Sequence, residues 1–542
     1  MMKDAAATLA ILLEHVVDGA GSRPDAGVTT AILTEAARFA ERYLAPLAPI
    51  TDREGCRLDA GRVGTAPPHK SAWQAYAEAG WAGLTAPDDA GGQALPMALA
   101  AAVQELMDAA DPAFGMLAIN ARCATRLLVR HGDEATREAW MPAIAGGLWG
   151  ATICISEPQA GSDVGRIRTR AEPGGDGMWA LTGDKCWISY GDHDLTERIG
   201  HFTLARARGA PAGTRGLSLF LVPDTLPGGA RNGVSIARLE EKLGLHGSPT
   251  CGLIFDGATA TLIGQEGRGL QTLFAMIVAM RLGVASQGAA VAQAAASTAE
   301  RYADERGQGG DPAGPPMPIA RHAEIRRLLL QMRARAEAAR LIALQAAAWV
   351  DAEDEGDPDA AKRAALLLPV AKTYCAEAAF ANADAAIQVL GGAGYVRDWP
   401  VERMLRDCRV FSIYEGTSAI QGLDLLLRRV LGKDGFGPLH DVLDRLAPSP
   451  VLVLAVRDTA EALAGVDARS QEAAALPFLR LVALACADGL LHRAGRDAGP
   501  LAPSYAALAA FHRTEATIEA SALVQRCLSV DLDVAFDGVF AS

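Results

Sequence analysis

Along most of the chain apolar residues recur at the i, i+3, i+4, i+7 spacing of a buried helix face, and one central stretch lacks that spacing. Helices are predicted over Ala31–Leu44 and Ser71–Gly80, punctuated by Pro46, Pro49, Pro67, Pro68 and Pro87. Others are predicted from about Pro96 to Ala109, over 116–131 and over 134–145. Near Trp149 the pattern changes. Ala151–Ser156, Met178–Thr182, Cys186–Ser189, His201–Arg206, Leu217–Pro223, Val234–Arg238 and Gly252–Asp256 are short runs with β-branched or aromatic content, separated by Gly, Pro, Asp and Asn. That is the signature of an antiparallel barrel or sandwich. Pro173-Gly-Gly-Asp-Gly177 and Thr182-Gly-Asp-Lys185 predict hairpin turns. Helical spacing returns at Leu270, with long helices predicted over 269–305, 319–353 and 359–390 and a fourth after Gly416, which together imply a bundle. The Gly- and Pro-rich stretch Gly307–Pro318 is expected to be an exposed linker. A Gly-rich break at 432–440 precedes helical stretches at 451–464, 468–494 and 502–529.

The predicted fold is therefore mainly α with a central antiparallel β-barrel. Its domains are an N-terminal helical domain (1–150), a β-barrel (151–265), a four-helix bundle (266–432) and a C-terminal helical extension (440–542). A chain of 542 residues has length enough for several cores. The order is not the βαβ alternation of a dinucleotide-binding sheet, and no G-x-G-x-x-G, P-loop, H-E-x-x-H or G-x-S-x-G motif occurs, so a nucleotide cofactor must bind by another fold. The net charge of −13 disfavours a nucleic-acid partner, and it obliges any phosphate-bearing ligand to find locally placed arginines. The nine cysteines are dispersed without a C-x-x-C pair, which argues against a metal site and fits buried thiols in a reducing, cytoplasmic setting. The N-terminal MMKDAAATLAILLEHVV is interrupted by Glu14 and His15 and is expected to be a helix rather than a signal peptide. The apolar stretch 275–296 carries Arg281 and Gln287, so a buried helix is expected there rather than a membrane span.

Three segments carry candidate chemistry. In Ile413-Tyr-Glu-Gly-Thr-Ser418, Glu415 sits in a short apolar run before Gly416 and a new helix. Apolar surroundings disfavour the charged carboxylate and raise its basicity, as abstraction of a weakly acidic C–H requires; locally, Glu415 could equally complement a helix dipole. In Ile153-Cys-Ile-Ser-Glu-Pro-Gln-Ala-Gly-Ser-Asp163 a strand runs into a turn whose N–H groups and hydroxyls could hold a heterocycle or a phosphate, or simply connect strands. In Cys186-Trp-Ile-Ser189, Trp187 is either core or a flank for a planar ring.

Taken together, and with Gln388-Val-Leu-Gly-Gly-Ala-Gly-Tyr395, these segments resemble the acyl-CoA dehydrogenase family. Ser156–Asp163 is similar to its TEPxAGSD loop, Trp187–Ser189 to its W-I-T/S strand, and Gln388–Tyr395 and Ile413–Ser418 to its Q-x-x-G-G-x-G-[YF] and I-Y-E-G-T motifs. They occur in family order across roughly residues 30–432. Ala77–Pro87, His193–Glu197 and Lys242–Cys251 resemble a long branch of the family with an extra C-terminal helical domain.

The resemblance implies FAD-dependent α,β-dehydrogenation of an acyl-CoA, with Glu415 taking the α-proton and flavin N5 the β-hydride. It implies FAD contacts from Ile153, Ile155, Ser156, Ser162, Trp187, Ser189, Arg306, Gln388, Gly391, Gly392 and Thr417. Substrate contacts are implied for Ser162, Arg281 and Gly416, and thioester polarisation for the Glu415 N–H. Some relatives carry the base directly before the bundle arginine, where this chain has Met280, which has no basic group. The resemblance further implies an electron-transfer flavoprotein as electron acceptor, a homodimer or homotetramer, and neither nucleic-acid nor membrane partners. Alternatives of the same fold are an oxygen-using acyl-CoA oxidase and a DNA-associated or non-catalytic flavoprotein. Residues 440–542 lack the strongly basic character the DNA-associated reading requires.

Overall fold

A computed structural model describes residues 2–19, 24–529 and 532–540. The chain forms two compact units, one of residues 38–95 and 110–283 and the other of 1–37, 96–109 and 284–542.

The first unit is built on a sheet. A hairpin of β1 (Arg57–Asp59) and β2 (Arg62–Gly64) precedes seven strands: β3 (Trp149–Cys154), β4 (Arg170–Pro173), β5 (Trp179–Ser189), β6 (Arg198–Ala207), β7 (Leu217–Pro223), β8 (Val234–Leu239) and β9 (Thr250–Ile263). Pairing runs β3-β6-β4-β5-β9-β7, with β8 on β9 and a further β6–β7 ladder. Alternate residues turn inward, and Ala171, Leu181, Ile188, Phe220, Val222, Leu253 and Phe255 form its core.

Two expectations are corrected here. The sheet is not wholly antiparallel: β6 runs parallel to both β3 and β4. The chain reaches β6 from β3 only after passing through β4 and β5, a connection long enough for parallel pairing. Thr182-Gly-Asp-Lys185 is not a hairpin turn but lies inside β5, where the register slips between Leu181 and Gly183. Gly183 is needed at φ +148°, where a Cβ would stand 2.7 Å from Thr169 Cα. The turn at Pro173–Gly177 does join antiparallel β4 and β5.

The second unit is helical. Its elements include α1 (Met97–Asp108), the later part of α2 (Gly269–Glu305), α3 (Ala323–Asp354), α4 (Pro358–Leu390), α5 (Val401–Cys408), α6 (Ser418–Leu423), α7 (Ala468–Asp497) and α8 (Ala502–Leu528). Helices α2, α4 and α7 are long and apolar enough to cross a membrane, and most of each apolar window is buried inside the protein. Among these apolar helices lies a chain of buried charges. Arg340 on α3 pairs with Glu105 of α1 at 2.6 Å and with Glu337 at 2.9 Å, and Glu337 accepts the Tyr505 hydroxyl of α8 at 2.5 Å. Arg333 adds Glu300 of α2 to the same network. Opposite charges alternate along Glu105, Arg340, Glu337, Arg333 and Glu300, with Tyr505 joined by a hydrogen bond, so the polar groups fix how α1, α2, α3 and α8 register on one another.

The sheet-bearing unit buries three histidines. His69 packs tilted on Phe114 and edge-on to Tyr190 at ring distances of 5.6 and 6.3 Å, and Tyr190 in turn lies 5.4 Å from His193. His201 Nδ1 hydrogen-bonds Thr152 Oγ1 at 2.8 Å. Burial pushes His69 down to about 4, His193 to about 3 and His201 to about 4. Unfolded histidines bind protons near pH 6.5, so below that pH the unfolded state holds more protons and stability drops until the folded values are reached. Denaturant unfolding is therefore expected to show stability falling as pH is lowered from about 6.5 toward 4. His69→Phe should make that slope shallower by about 1.4 kcal/mol per pH unit. An unchanged slope contradicts the assignment.

Candidate functional site

In the helical unit the site is organised by a turn. The segment between α5 and α6 places two consecutive residues at positive φ, Glu415 at +54° and Gly416 at +91°. Glycine takes this conformation freely, whereas a glutamate must be held in it. The clamp is visible in the hydrogen bonds. Gln421 Nε2, fully buried on α6, donates to Glu415 O at 3.0 Å and to Gly416 O at 3.3 Å. Lys372 Nζ, fully buried on α4, donates to Gly416 O at 2.7 Å. A Cβ at position 416 would meet Gln421 Nε2 at 2.6 Å, so glycine there serves the clamp as well as the dihedral. Thr417 caps α6, its hydroxyl accepting the Ile420 N–H at 3.4 Å.

The residue before the glutamate is held too. Tyr414 donates its hydroxyl to Gln287 Oε1 of α2 at 2.6 Å and stacks on Phe411 at 5.9 Å. Burial, aided by the acidic neighbours Asp108 and Glu415, keeps the Tyr414 hydroxyl well above its ordinary pKa, so it remains a donor. The Glu415 side chain is half-buried. The turn thus presents one carboxylate on a backbone fixed before, at and after it.

Of the other residues singled out in this unit, Gln388, Gly391 and Gly392 are exposed where α4 ends. Gly391 is at φ +62°, and neither glycine has an atom within 4 Å of an ideal Cβ. Tyr395, 83% exposed, follows them. Arg306 is exposed just beyond α2, its N–H on Tyr302 O and its carbonyl on the Ile319 N–H.

The sheet-bearing unit brings two of the predicted segments together. Ile153 is half-buried near the end of β3, Ile155 and Ser156 are half-buried just after it, and Ser162 is exposed in the loop beyond. The Cys186 N–H donates to Ser156 O at 2.9 Å, which sets this loop beside the end of β5. There the register shifts between Lys185 and Ile188, and Trp187 takes φ +60°. The bulge turns Lys185 and Ile188 into the core and leaves the indole 57% exposed. Ser189 is half-buried beside it. An exposed indole and a loop of hydroxyls and N–H groups, with open space around Gly161, form a surface suited to a flat heteroaromatic ring. Arg281 is half-buried on α2 within this same unit.

Sequence reasoning missed the supports: Lys372, Gln421, Gln287, and the buried pair Lys185–Glu157. A signal existed for Lys372, the single charge in Ala364–Ala376. A charge in so apolar a run marks either a break in the face or a buried partner. Gln421 gave none, because its role depends on the φ of Glu415 and Gly416.

Three family models match the chain: the N-terminal domain of acyl-CoA dehydrogenases over residues 29–148, the middle domain over 152–258 and the C-terminal domain over 267–431. A 3-methylmercaptopropionyl-CoA dehydrogenase from Ruegeria pomeroyi is 37% identical over 483 residues, covering 83% of this chain and 82% of that protein. Butyryl-CoA dehydrogenase from Megasphaera elsdenii has a similar structure, with a TM-score of 0.64 and 25% identity over 75% of this chain and all of that one. An acyl-CoA dehydrogenase from Bacillus anthracis, solved with FAD, matches in fold with a TM-score of 0.78, at 20% identity, over 97% of this chain and 92% of that one.

The clamp makes a measurable demand. Lys372→Met removes the shorter of the two buried hydrogen bonds to the Gly416 carbonyl and is expected to lower unfolding free energy by about 1–3 kcal/mol. Denaturant unfolding indistinguishable from wild type contradicts that role.

Proposed function

The chain belongs to the acyl-CoA dehydrogenase family, and from that premise we propose that it oxidises the Cα–Cβ bond of an acyl-CoA thioester to the 2-enoyl-CoA, with Glu415 as the base. The observation that carries this reading is the clamped turn, which holds a half-buried carboxylate on a backbone fixed by Gln421 and Lys372. Such fixation is what general-base catalysis at carbon needs, since little rate is gained from a base that must first find its position.

FAD is the expected cofactor, and when bound it supplies the acceptor for the hydride that leaves Cβ. The residues present fit it: the exposed Trp187 indole and Ser189 on one segment, Ile153 at the end region of β3 and Ile155, Ser156 and Ser162 on the loop that follows it. Arg306, Gln388, Gly391, Gly392 and Thr417 are read as the contacts for the rest of the dinucleotide. The open Gly391–Gly392 backbone, which no atom crowds, supports that reading. Ser162, Arg281 and Gly416 are read as substrate contacts.

The chemistry of this chain's own groups is then short. The α-proton passes to the Glu415 carboxylate. The Glu415 N–H is read as a donor to the thioester oxygen as negative charge develops there. Tyr414, kept protonated and tied to Gln287, holds the glutamate from the N-terminal side. Two electrons then have to leave the protein, and an electron-transfer flavoprotein is the acceptor we propose. We read the β6–β7 ladder, which returns the pairing path to β6, as closing the sheet into a barrel. A cytoplasmic homo-oligomer completes the reading.

A panel of acyl-CoAs with a dye acceptor tests it. Wild type is expected to turn over at least one thioester, and Glu415→Gln to lose roughly 10²–10⁴-fold in kcat while keeping its yellow colour. Turnover of the Gln variant within a few-fold of wild type overturns the base assignment.

A further inference from the structure

We propose that the buried pair Lys185–Glu157 is a positioning device for the flavin ring, an inference that rests on the flavin reading above. The two side chains are 0% and 3% exposed and meet at 2.8 Å. The carboxylate is the hub of the loop after β3. Besides Lys185 Nζ it accepts the Thr169 hydroxyl at 2.6 Å, the Thr169 N–H at 3.1 Å, the Arg168 N–H at 2.7 Å and Gln159 Nε2 at 2.5 Å. Burial works against the charged carboxylate, yet the Lys185 ammonium and these donors outweigh it and hold Glu157 below the ordinary carboxylate range.

The ammonium has a second partner, which gives the pair a role beyond mutual neutralisation. Lys185 Nζ also donates to Ile155 O at 2.9 Å, and the next residue of β5, Cys186, donates its N–H to Ser156 O at 2.9 Å. Ile155, Ser156 and Glu157 are thereby fixed at three successive positions by two successive residues of one strand. Ile155 and Ser156 are read as ring contacts on the loop, and Trp187 and Ser189 as ring contacts on the strand. Lys185 stands where those two segments are tied together. The bulge after Lys185 lets the ammonium point inward while Trp187 points outward two residues later.

Energetics favour a role in geometry over one in bulk stability. An apolar pair of similar volume generally matches or exceeds a buried ion pair in stability, whereas deleting one partner leaves an uncompensated buried charge. An apolar pair would leave the Ile155 carbonyl, the Thr169 hydroxyl and the Arg168 N–H without their present partners, and the loop would lose its register on β5.

The test separates geometry from stability. Holoprotein would be prepared as wild type, K185M, the double variant K185M/E157L, and T169V. FAD release would be followed by repeated dilution and filtration, the visible flavin bands by absorbance, and folding by thermal unfolding. The single variant K185M is expected to unfold at markedly lower temperature. The double variant, relieved of the unpaired charge but still lacking the partners of those polar groups, is expected to recover part of that loss yet release FAD about tenfold more readily or worse, with displaced flavin bands. T169V, which keeps both charges and removes one donor to the hub, is expected to show a weaker FAD defect in the same direction. Wild-type FAD retention and bands in both folded variants, the double variant and T169V, overturn the proposal and leave the enzyme reading standing. Should the double variant not fold, T169V with wild-type retention and bands overturns it alone. A wild-type protein that takes up no FAD overturns the enzyme reading and this proposal together.

Discussion

The conformation at Glu415 and Gly416 is the constraint on which the remainder of the site depends. Two successive residues occupy the left-handed region, and only one is a glycine. A glutamate stays there because both carbonyls of the turn are claimed by fully buried donors, Gln421 from the helix that follows and Lys372 from α4. Without those bonds the cost of the glutamate's left-handed dihedral is no longer offset at its own carbonyl. The strain is small in energy and large in consequence, as expected where a reactive group must be aimed.

The same strategy recurs in the sheet-bearing unit with different parts. There the exceptional dihedral belongs to Trp187, and the buried cation is Lys185. In both places a fully buried lysine donates to a backbone carbonyl of the segment it fixes, Gly416 O next to Glu415 in one case and Ile155 O of the loop after β3 in the other. A third buried network, Glu105–Arg340–Glu337–Tyr505, ties the long helix α8 to α3 and α1. Helix α8 is thus held by a specific polar contact in addition to apolar packing.

Much of this was legible in the sequence. The long helices follow directly from apolar spacing, and α2 and α4 lie within a residue of their predicted bounds. The glycines after Gln388 announced the end of a long helix, and Gly416 a new helix after Glu415; α4 ends at Leu390 and α6 begins at Ser418. Less visible were features set by pairing across distance. Strand β4 is four residues with a proline and carries no alternating pattern of its own, and it exists because β5 and β6 offer it edges. Gly183 read as a turn because glycine beside aspartate usually is one, while its actual task is to let β5 pass close to Thr169. Lys185 read as part of a turn and Lys372 drew no reading despite standing alone in an apolar run, because a lysine's partner is found only in three dimensions.

The central claim is that the fixed carboxylate of Glu415 removes a proton from the carbon next to a thioester. That step can be watched apart from the redox chemistry, by incubating the protein anaerobically in D2O with an acyl-CoA whose β-carbon carries no hydrogen. The recovered thioester is then analysed by mass spectrometry for deuterium at the α-carbon. Wild-type protein is expected to wash deuterium into that position, and the Glu415→Gln protein to leave it at the uncatalysed background. Equal exchange by the two proteins would contradict the account, whatever fold and cofactor they share.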